Sequence, residues 1–332
     1  MPPFYVIEQG ARLSHDGRRL VVSKDERELA TAPLVHVSEV VLLGNIGLTT
    51  PAIKLLLLEN IDVVFLTQDG GYCGRLTGPL TPHVLLRRKQ YRAQEDAAFA
   101  QAMAQCVVRG KLANMRTLLM KHNREVGDAA IASAVDALQA ALDRVPRTTT
   151  LNSLSGVEGA ATAAYFGAWK RLLRPEWKFE KRQRRPPPDP INVLLSFGYT
   201  LLARAAQGAV EATGLDPYAG FLHGVEYNRP SLALDLMEEF RSVVDGVVLW
   251  CVNSGQVSPS DFAPGGAERP VVMSDEAKRK FIAAYERRMD EEIIHPRQNE
   301  RLPLRRCILA QARVVVDCIQ KFRPEYMPML FR

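Results

Sequence analysis

IDVVFLTQDGGYCGRLTGPLTPHVLLRRKQ, residues 61–90, is the stretch that decides the fold class. Its opening, Ile61 to Thr67, is a short run rich in Val, Ile and Leu, the composition of a strand. Asp69-Gly70-Gly71 then supplies hairpin-type turn chemistry. After about Pro82 the texture changes, and a helical period begins at Val84 and continues to Asn123. Working outward, the residues before this switch read as further strands, Phe4 to Glu8, Arg18 to Ser23 and Val37 to Leu43, with His15-Asp16-Gly17 as a second turn. One helix interrupts them: Thr49 or Thr50 can cap it, Pro51 suits its first turn, and Ala52 to Asn60 continues it. Beyond the switch, helices are expected over Asp128 to Asp143, Val157 to Leu173, Ile191 to Ala212, Ser231 to Asn253, Asp275 to Glu292 and Leu304 to Lys321. Pro186-Pro187-Pro188, Gly214 to Pro217, Pro264-Gly265-Gly266 and Pro296 separate them. The expected fold class is therefore α+β, a small β-rich domain over residues 1–82 followed by a larger all-α domain over residues 83–332.

Composition narrows the function. Hydrophobic residues at 47% and charged residues at 24% are those of a soluble globular protein. The most apolar segment, Ile53 to Leu66, is short and broken by Lys54, Glu59 and Asp62, so no membrane span is expected, and no signal peptide is visible. Cys73, Cys106, Cys251, Cys307 and Cys318 form no CxxC pair, which argues against a zinc ribbon or a disulfide scaffold and fits a reducing cytoplasm. The net charge of +6 is compatible with a polyanionic partner. Arg87-Arg88-Lys89 and Lys181-Arg182-Gln183-Arg184-Arg185 concentrate it, either as solvated surface or as phosphate contacts. No GxxxxGK[ST] or GxGxxG loop supports nucleotide chemistry, and neither GxSxG nor HExxH is present.

Three segments of the helical domain carry chemistry-bearing residues in unusual settings. In Leu154-Ser155-Gly156-Val157-Glu158-Gly159-Ala160-Ala161 a carboxylate stands among small residues that let another backbone approach. Ser155 and Glu158 also have the spacing of a capping box, and spacing alone favours that reading of Glu158. In Gly220-Phe221-Leu222-His223-Gly224 a histidine lies between glycines at the end of an apolar run, either open to a ligand or hydrogen-bonded in the core. In Ser231 to Arg241, Asp235 and Glu238 are neighbours on a helix surface at i and i+3, either converging on a cation or forming a solvated acidic face. Together, two carboxylates and an imidazole on three segments could build a Mg²⁺ or Mn²⁺ site acting on phosphodiesters, with Lys and Arg holding a nucleic-acid backbone.

SLSGVEGAATAAYF, RRPPPDPINVLLSFGYTLL, LDPYAGFLH and RPSLALDLMEEFR, in this order, closely resemble the CRISPR-associated spacer-acquisition endonuclease/integrase family, the first-numbered Cas protein. The resemblance is diagnostic over about residues 150–245 and looser towards both ends. It implies a β-rich N-terminal domain joined to an α-helical catalytic domain, a homodimer formed through the N-terminal domains, and a small partner, the second-numbered Cas protein. It also implies a metal-dependent nuclease and integrase in which the 3′-hydroxyl of a foreign DNA fragment attacks a phosphodiester at a CRISPR repeat boundary. By motif, the family's metal ligands fall on Glu158, His223 and Glu238, with a further acidic catalytic position on Asp235. Many members have Asp where this chain has Glu238, whose side chain reaches one methylene further. Arg184, Arg185, Arg229 and Arg241 fall in matching segments as DNA-contacting candidates, while Tyr165 and Tyr199 either line the site or, the commoner fate, pack in the core. The competing readings are a catalytically idle DNA-binding scaffold of the same fold and a metal-dependent hydrolase of a small phosphorylated substrate.

Overall fold

The computed structural model describes residues 1–79 and 82–331; Leu80, Thr81 and Arg332, which ends the expected second domain, lie outside them. The chain divides into two units, Met1–Leu80 and Thr81–Arg332. The fold class is the α+β arrangement expected from the sequence, strands first and helices after.

The first unit holds β1 (Phe4–Val6), β2 (Arg12–Asp16), β3 (Arg19–Lys24), β4 (Arg27–Pro33), β5 (Glu39–Leu43), β6 (Gly47–Leu48), α1 (Thr50–Leu58), β7 (Asp62–Leu66) and β8 (Tyr72–Leu76). They form two four-stranded sheets, ordered β1-β5-β7-β8 and β4-β3-β2-β6. Leu13, Leu20 and Val22 of the second sheet share one core with Val6, Val40, Leu42 and Val63 of the first, sealed by Leu56 of α1. Thr49 is the cap of α1, accepting from the Ala52 N–H at 3.3 Å, with Pro51 in the first turn. The 69–71 turn does join a hairpin, β7 to β8, a pairing partner that apolar patterning misses because Tyr72-Cys73-Gly74-Arg75 is largely polar or small. Also unforeseen is β4, at the edge of its sheet and exposed along almost its whole length.

The second unit is built from α2 (Val84–Glu95), α3 (Ala97–Val126), α4 (Ala129–Arg144), α5 (Leu151–Trp169), α6 (Pro190–Ala212), α7 (Ser231–Glu238), α8 (Arg241–Asn253), α9 (Asp275–Asp290) and α10 (Leu304–Lys321). Two hairpins, β9 (Phe262–Gly266) with β10 (Arg269–Met273) and β11 (Glu292–Ile294) with β12 (Arg301–Pro303), lie between the last helices where only breakers were expected. Two expected single helices are each broken in two. Asp96 leaves helical geometry to cap α3, accepting from the Phe99 N–H at 2.8 Å, which ends α2. The expected helix over Ser231 to Asn253 breaks at Glu239-Phe240. Helix α3 has 30 residues and so runs about 45 Å at 1.5 Å per residue, and it packs against α4, α5, α7 and α8. Helix α6 is the one described helix long and apolar enough to cross a membrane, but 72% of that window is buried within the chain, as befits a core helix that is apolar all round. It packs on α7, α8 and α10.

Candidate active site

Glu158 projects from the second turn of α5 and is not a cap. Thr150 caps the helix instead, forming a reciprocal box with Ser153, so the helix begins before Ser155 and the capping-box reading of Ser155 and Glu158 is overturned. The small residues Gly156, Gly159 and Ala160 hid this earlier start, because they contribute no periodicity. The freed Glu158 carboxylate, half-buried, accepts from Thr162 Oγ1 at 3.0 Å and from the ammonium of Lys111.

Glu238 ends α7 and is buried. Arg241 Nε donates to its Oε1 at 2.9 Å, and Lys111 Nζ stands 2.7 Å from its Oε2. Burial alone would push this carboxyl up, but the charges of Arg241, Lys111 and His223 outweigh it and hold the group well below the usual carboxylate range. The two acids, 80 residues apart in sequence, therefore meet on one ammonium. Sequence reasoning missed Lys111, although a signal exists: it follows Val107 and Val108 and precedes Met115 at helical spacing, a charge set into an apolar stripe.

His223 is placed by Asp235. The backbone N–H groups of Phe221 and Leu222 donate to Asp235 Oδ2 at 2.6 and 3.0 Å, and that of His223 to Oδ1 at 2.9 Å. Asp235 Oδ1 also lies 2.7 Å from His223 Nδ1. Asp235 thus shapes the turn and orients the imidazole rather than standing beside Glu238 on an open acidic face. The tautomer that donates from Nδ1 leaves the Nε2 lone pair free, and Nε2 lies 4.0 Å from Glu238 Oε1. This close packing depends on Gly220, where a Cβ would come within 2.7 Å of the Ser231 backbone and 2.8 Å of Asp235 Oδ2. Gly224, on the other side of the histidine, faces open space.

The expected DNA-contacting arginines divide into two groups. Arg184 and Arg185 are exposed. Their loop is pinned beneath by Asn192, which bonds Lys181 O, the Gln183 N–H and the Arg182 guanidinium at 2.8–2.9 Å. Arg229 is half-buried and bonded to Glu226 at 2.5 Å. Arg241 points inward: it is buried, committed to Glu238, and lies 4.5 Å over the Tyr199 ring. The expectation of Arg241 as a backbone contact is therefore replaced by a role as counter-ion, because its guanidinium is consumed inside the protein. Below it, Tyr165 and Tyr199 are buried and both donate to Asp245. Burial pushes the Asp245 carboxyl up to about 6, against the pull of those two hydroxyls and of Arg241.

Among the described residues no group of three or more His, Cys, Asp and Glu stands ready-made around a metal position. The reason is local: the space between the two carboxylates is held by the Lys111 ammonium. The donor set nonetheless fits a hard divalent cation, with two carboxylates converging on one positive charge and an imidazole whose second nitrogen is fixed by a carboxylate. Glu238 Oε2 is buried, and its partner is the Lys111 ammonium at 2.7 Å. Replacing Lys111 by Ala leaves Glu158 without a cation and Glu238 with Arg241 alone; the variant is expected to lose about 3 kcal/mol in urea denaturation, the lower end of what breaking a buried pair costs. Wild-type stability would show that the ammonium does not hold these acids together.

The model of the family described as CRISPR associated protein Cas1 matches residues 4–287. The chain is 39% identical over 331 residues to the CRISPR-associated endonuclease Cas1 3 of Thermus thermophilus, covering 99% of this chain and 97% of that one. Among solved structures, a casposase bound to integration product superposes with a TM-score of 0.88 at 21% identity, covering 100% of this chain and 95% of that one, which speaks to fold. A chain of a Cas6-RT-Cas1–Cas2 complex matches with a TM-score of 0.84 at 26% identity, over 99% of this chain and 36% of that longer one. The segments around Glu158, His223 and Glu238 thus lie within a match that spans nearly the whole sequence, and the chain belongs to the Cas1 family of CRISPR-associated proteins.

Proposed function

We propose that this protein is a divalent-metal-dependent DNA endonuclease and integrase that inserts foreign DNA fragments as new spacers into a CRISPR array. The observation that carries the reading is the convergence of Glu158 and Glu238 on one cation position, beside an imidazole oriented by Asp235. Within the cluster, Lys111 pairs with Glu158 and Glu238, Arg241 with Glu238, and Asp235 is met by His223 and three backbone N–H groups. Glu158, His223 and Glu238 would hold Mg²⁺ or Mn²⁺, which would take over the place between the carboxylates that the Lys111 ammonium holds. A cation held there would offset negative charge on a non-bridging phosphate oxygen and on the leaving oxygen.

The chain's own groups set the rest. Asp235 keeps His223 in one tautomer and one orientation, and Arg241 keeps Glu238 ionised and in place. In integration, the 3′-hydroxyl oxygen of the fragment bonds to the repeat-boundary phosphorus while the bond from phosphorus to the repeat strand's own 3′ oxygen breaks. The proton lost by the attacking hydroxyl is balanced by the one taken up by the leaving oxygen. One phosphodiester replaces another, so no nucleotide hydrolysis is required. Relatives carry the name endonuclease, and a structural neighbour is part of a complex with Cas2. The partners in this reading are DNA and the small second-numbered Cas protein, in keeping with those names; a second copy of this chain comes from the motif resemblance, and a cytoplasmic location from the unpaired cysteines.

Glu158→Ala, His223→Ala and Glu238→Ala should each abolish Mn²⁺-dependent cleavage and strand transfer while circular dichroism stays unchanged, and EDTA should silence the wild type. A folded variant that stays active removes that residue from the site; a wild type inactive with Mn²⁺ favours an idle scaffold. Arg184→Glu with Arg185→Glu should weaken DNA binding and flatten its salt dependence by about 0.9 in log–log slope for each phosphate no longer neutralised. An unchanged slope with unchanged affinity would move the DNA elsewhere. The exposed edge strand β4 suits pairing with a second copy. Leu29→Lys with Val35→Asp, both exposed positions, should yield monomers by light scattering; a persisting dimer places the interface outside this edge.

A further inference from the structure

We propose that the C-terminal segment Tyr326–Phe331 is a clasp that positions the active-site residues Glu238 and Lys111, through Glu239 and Asn114. The inference rests on the reading of Glu238 as a metal-holding carboxylate.

The local sequence explains why this segment is irregular. Helix α10 ends at Phe322 in left-handed geometry, φ 51°, and Pro324 and Pro328 prevent the helix from resuming. Even so, Tyr326 and Met329 are buried, at 3% and 1% exposure. Buried backbone without secondary structure needs polar partners, and here they come from two residues next to the site. The Met329 N–H donates to Glu239 Oε2 at 2.7 Å, and the Tyr326 hydroxyl donates to Glu239 Oε1 at 2.6 Å. Asn114 Nδ2 donates to Met329 O and to Glu239 O, each at 2.7 Å, while its Oδ1 accepts from the Phe331 N–H at 2.9 Å. Gln311 of α10 adds a bond to Glu239 at 3.0 Å.

Each anchor adjoins a residue of the site. Asn114 lies one turn beyond Lys111 on α3, and Glu239 follows Glu238 in the break between α7 and α8. That break frees the Glu239 carbonyl from the helical ladder, and Asn114 captures it. The three parts are in close contact at Gly110, where a Cβ would lie 2.6 Å from Pro328 and 3.2 Å from Glu239. Without the clasp, α7 and α8 are free to join as one regular helix. Successive residues of a helix turn by about 100°, so a one-residue change in register would swing Glu238 away from Lys111 and Glu158. The hydrogen bonds of the Glu239 carboxylate go to the tail and to Gln311 of α10, none to the ion-paired cluster. Glu239 is a positioning residue, not a ligand.

The test uses the full-length chain carrying Glu239→Gln, Tyr326→Phe or Asn114→Ala, with Glu325→Ala, an exposed tail position, as the control. Mn²⁺ affinity is read by calorimetry, and kcat and KM by strand cleavage. Glu239→Gln and Asn114→Ala should weaken Mn²⁺ binding at least tenfold and lower kcat at least tenfold, with KM for DNA within threefold of wild type. Tyr326→Phe, which keeps the packing and removes one hydroxyl, should fall between them and wild type, and Glu325→Ala should match wild type. Folded variants that bind Mn²⁺ as wild type does and merely melt earlier would overturn the clasp as a positioning device. Should Glu239→Gln fail to fold, Asn114→Ala and Tyr326→Phe decide. If the wild type binds no Mn²⁺, or Glu238→Gln leaves its binding intact, it is the metal reading that falls.

Discussion

The helical unit is organised around a buried ammonium. Lys111 is 3% exposed, and an unpaired charge at such a position would cost several kcal/mol. The chain meets that cost by bringing Glu158 of α5 and Glu238 of α7 to it across α3. Much of the remaining geometry follows from this requirement. Glu238, buried with two carboxylate oxygens to satisfy, takes Arg241 as its second cation. Arg241 in turn covers Tyr199, whose hydroxyl, with that of Tyr165, satisfies the buried Asp245. Each polar group in the sequence from Lys111 to Asp245 is tolerated because the next one compensates it.

A second constraint is irregular backbone placed deliberately at the site. The turn over Phe221 to His223 has no ladder partners, and Asp235 supplies acceptors for three successive N–H groups. The break at Glu239-Phe240 separates two buried helices; Asn114 takes up the Glu239 carbonyl it frees, and the C-terminal segment bonds the Glu239 side chain. Rigid helices therefore carry Lys111, Glu158 and Glu238, while the bends between helices determine which way Glu238 and His223 face. Such bends hold only while their hydrogen bonds are buried, which is why residues far apart in sequence, 114, 239 and 326–331, pack as one group.

The sequence by itself determined the fold class and singled out the segments whose polar side chains meet in the helical unit. Its period changes from strand to helix near Pro82, and the segments around Glu158, His223 and Glu238 are distinct in composition and in their likeness to one family. Element boundaries were less legible. Tyr72–Leu76 and Arg27–Pro33 have strand partners but no apolar alternation, and α5 starts at Leu151 because Thr150 caps it, which the small residues after it conceal. Only the tertiary structure decided that Glu158 faces Lys111 instead of its own helix start, that Asp235 serves His223, and that Arg241 turns inward. The physical reason is that periodicity reports which face of an element is apolar, whereas the partner of a buried charge is chosen by contacts between elements dozens of residues apart, where desolvation requires compensation and local spacing carries no record of it.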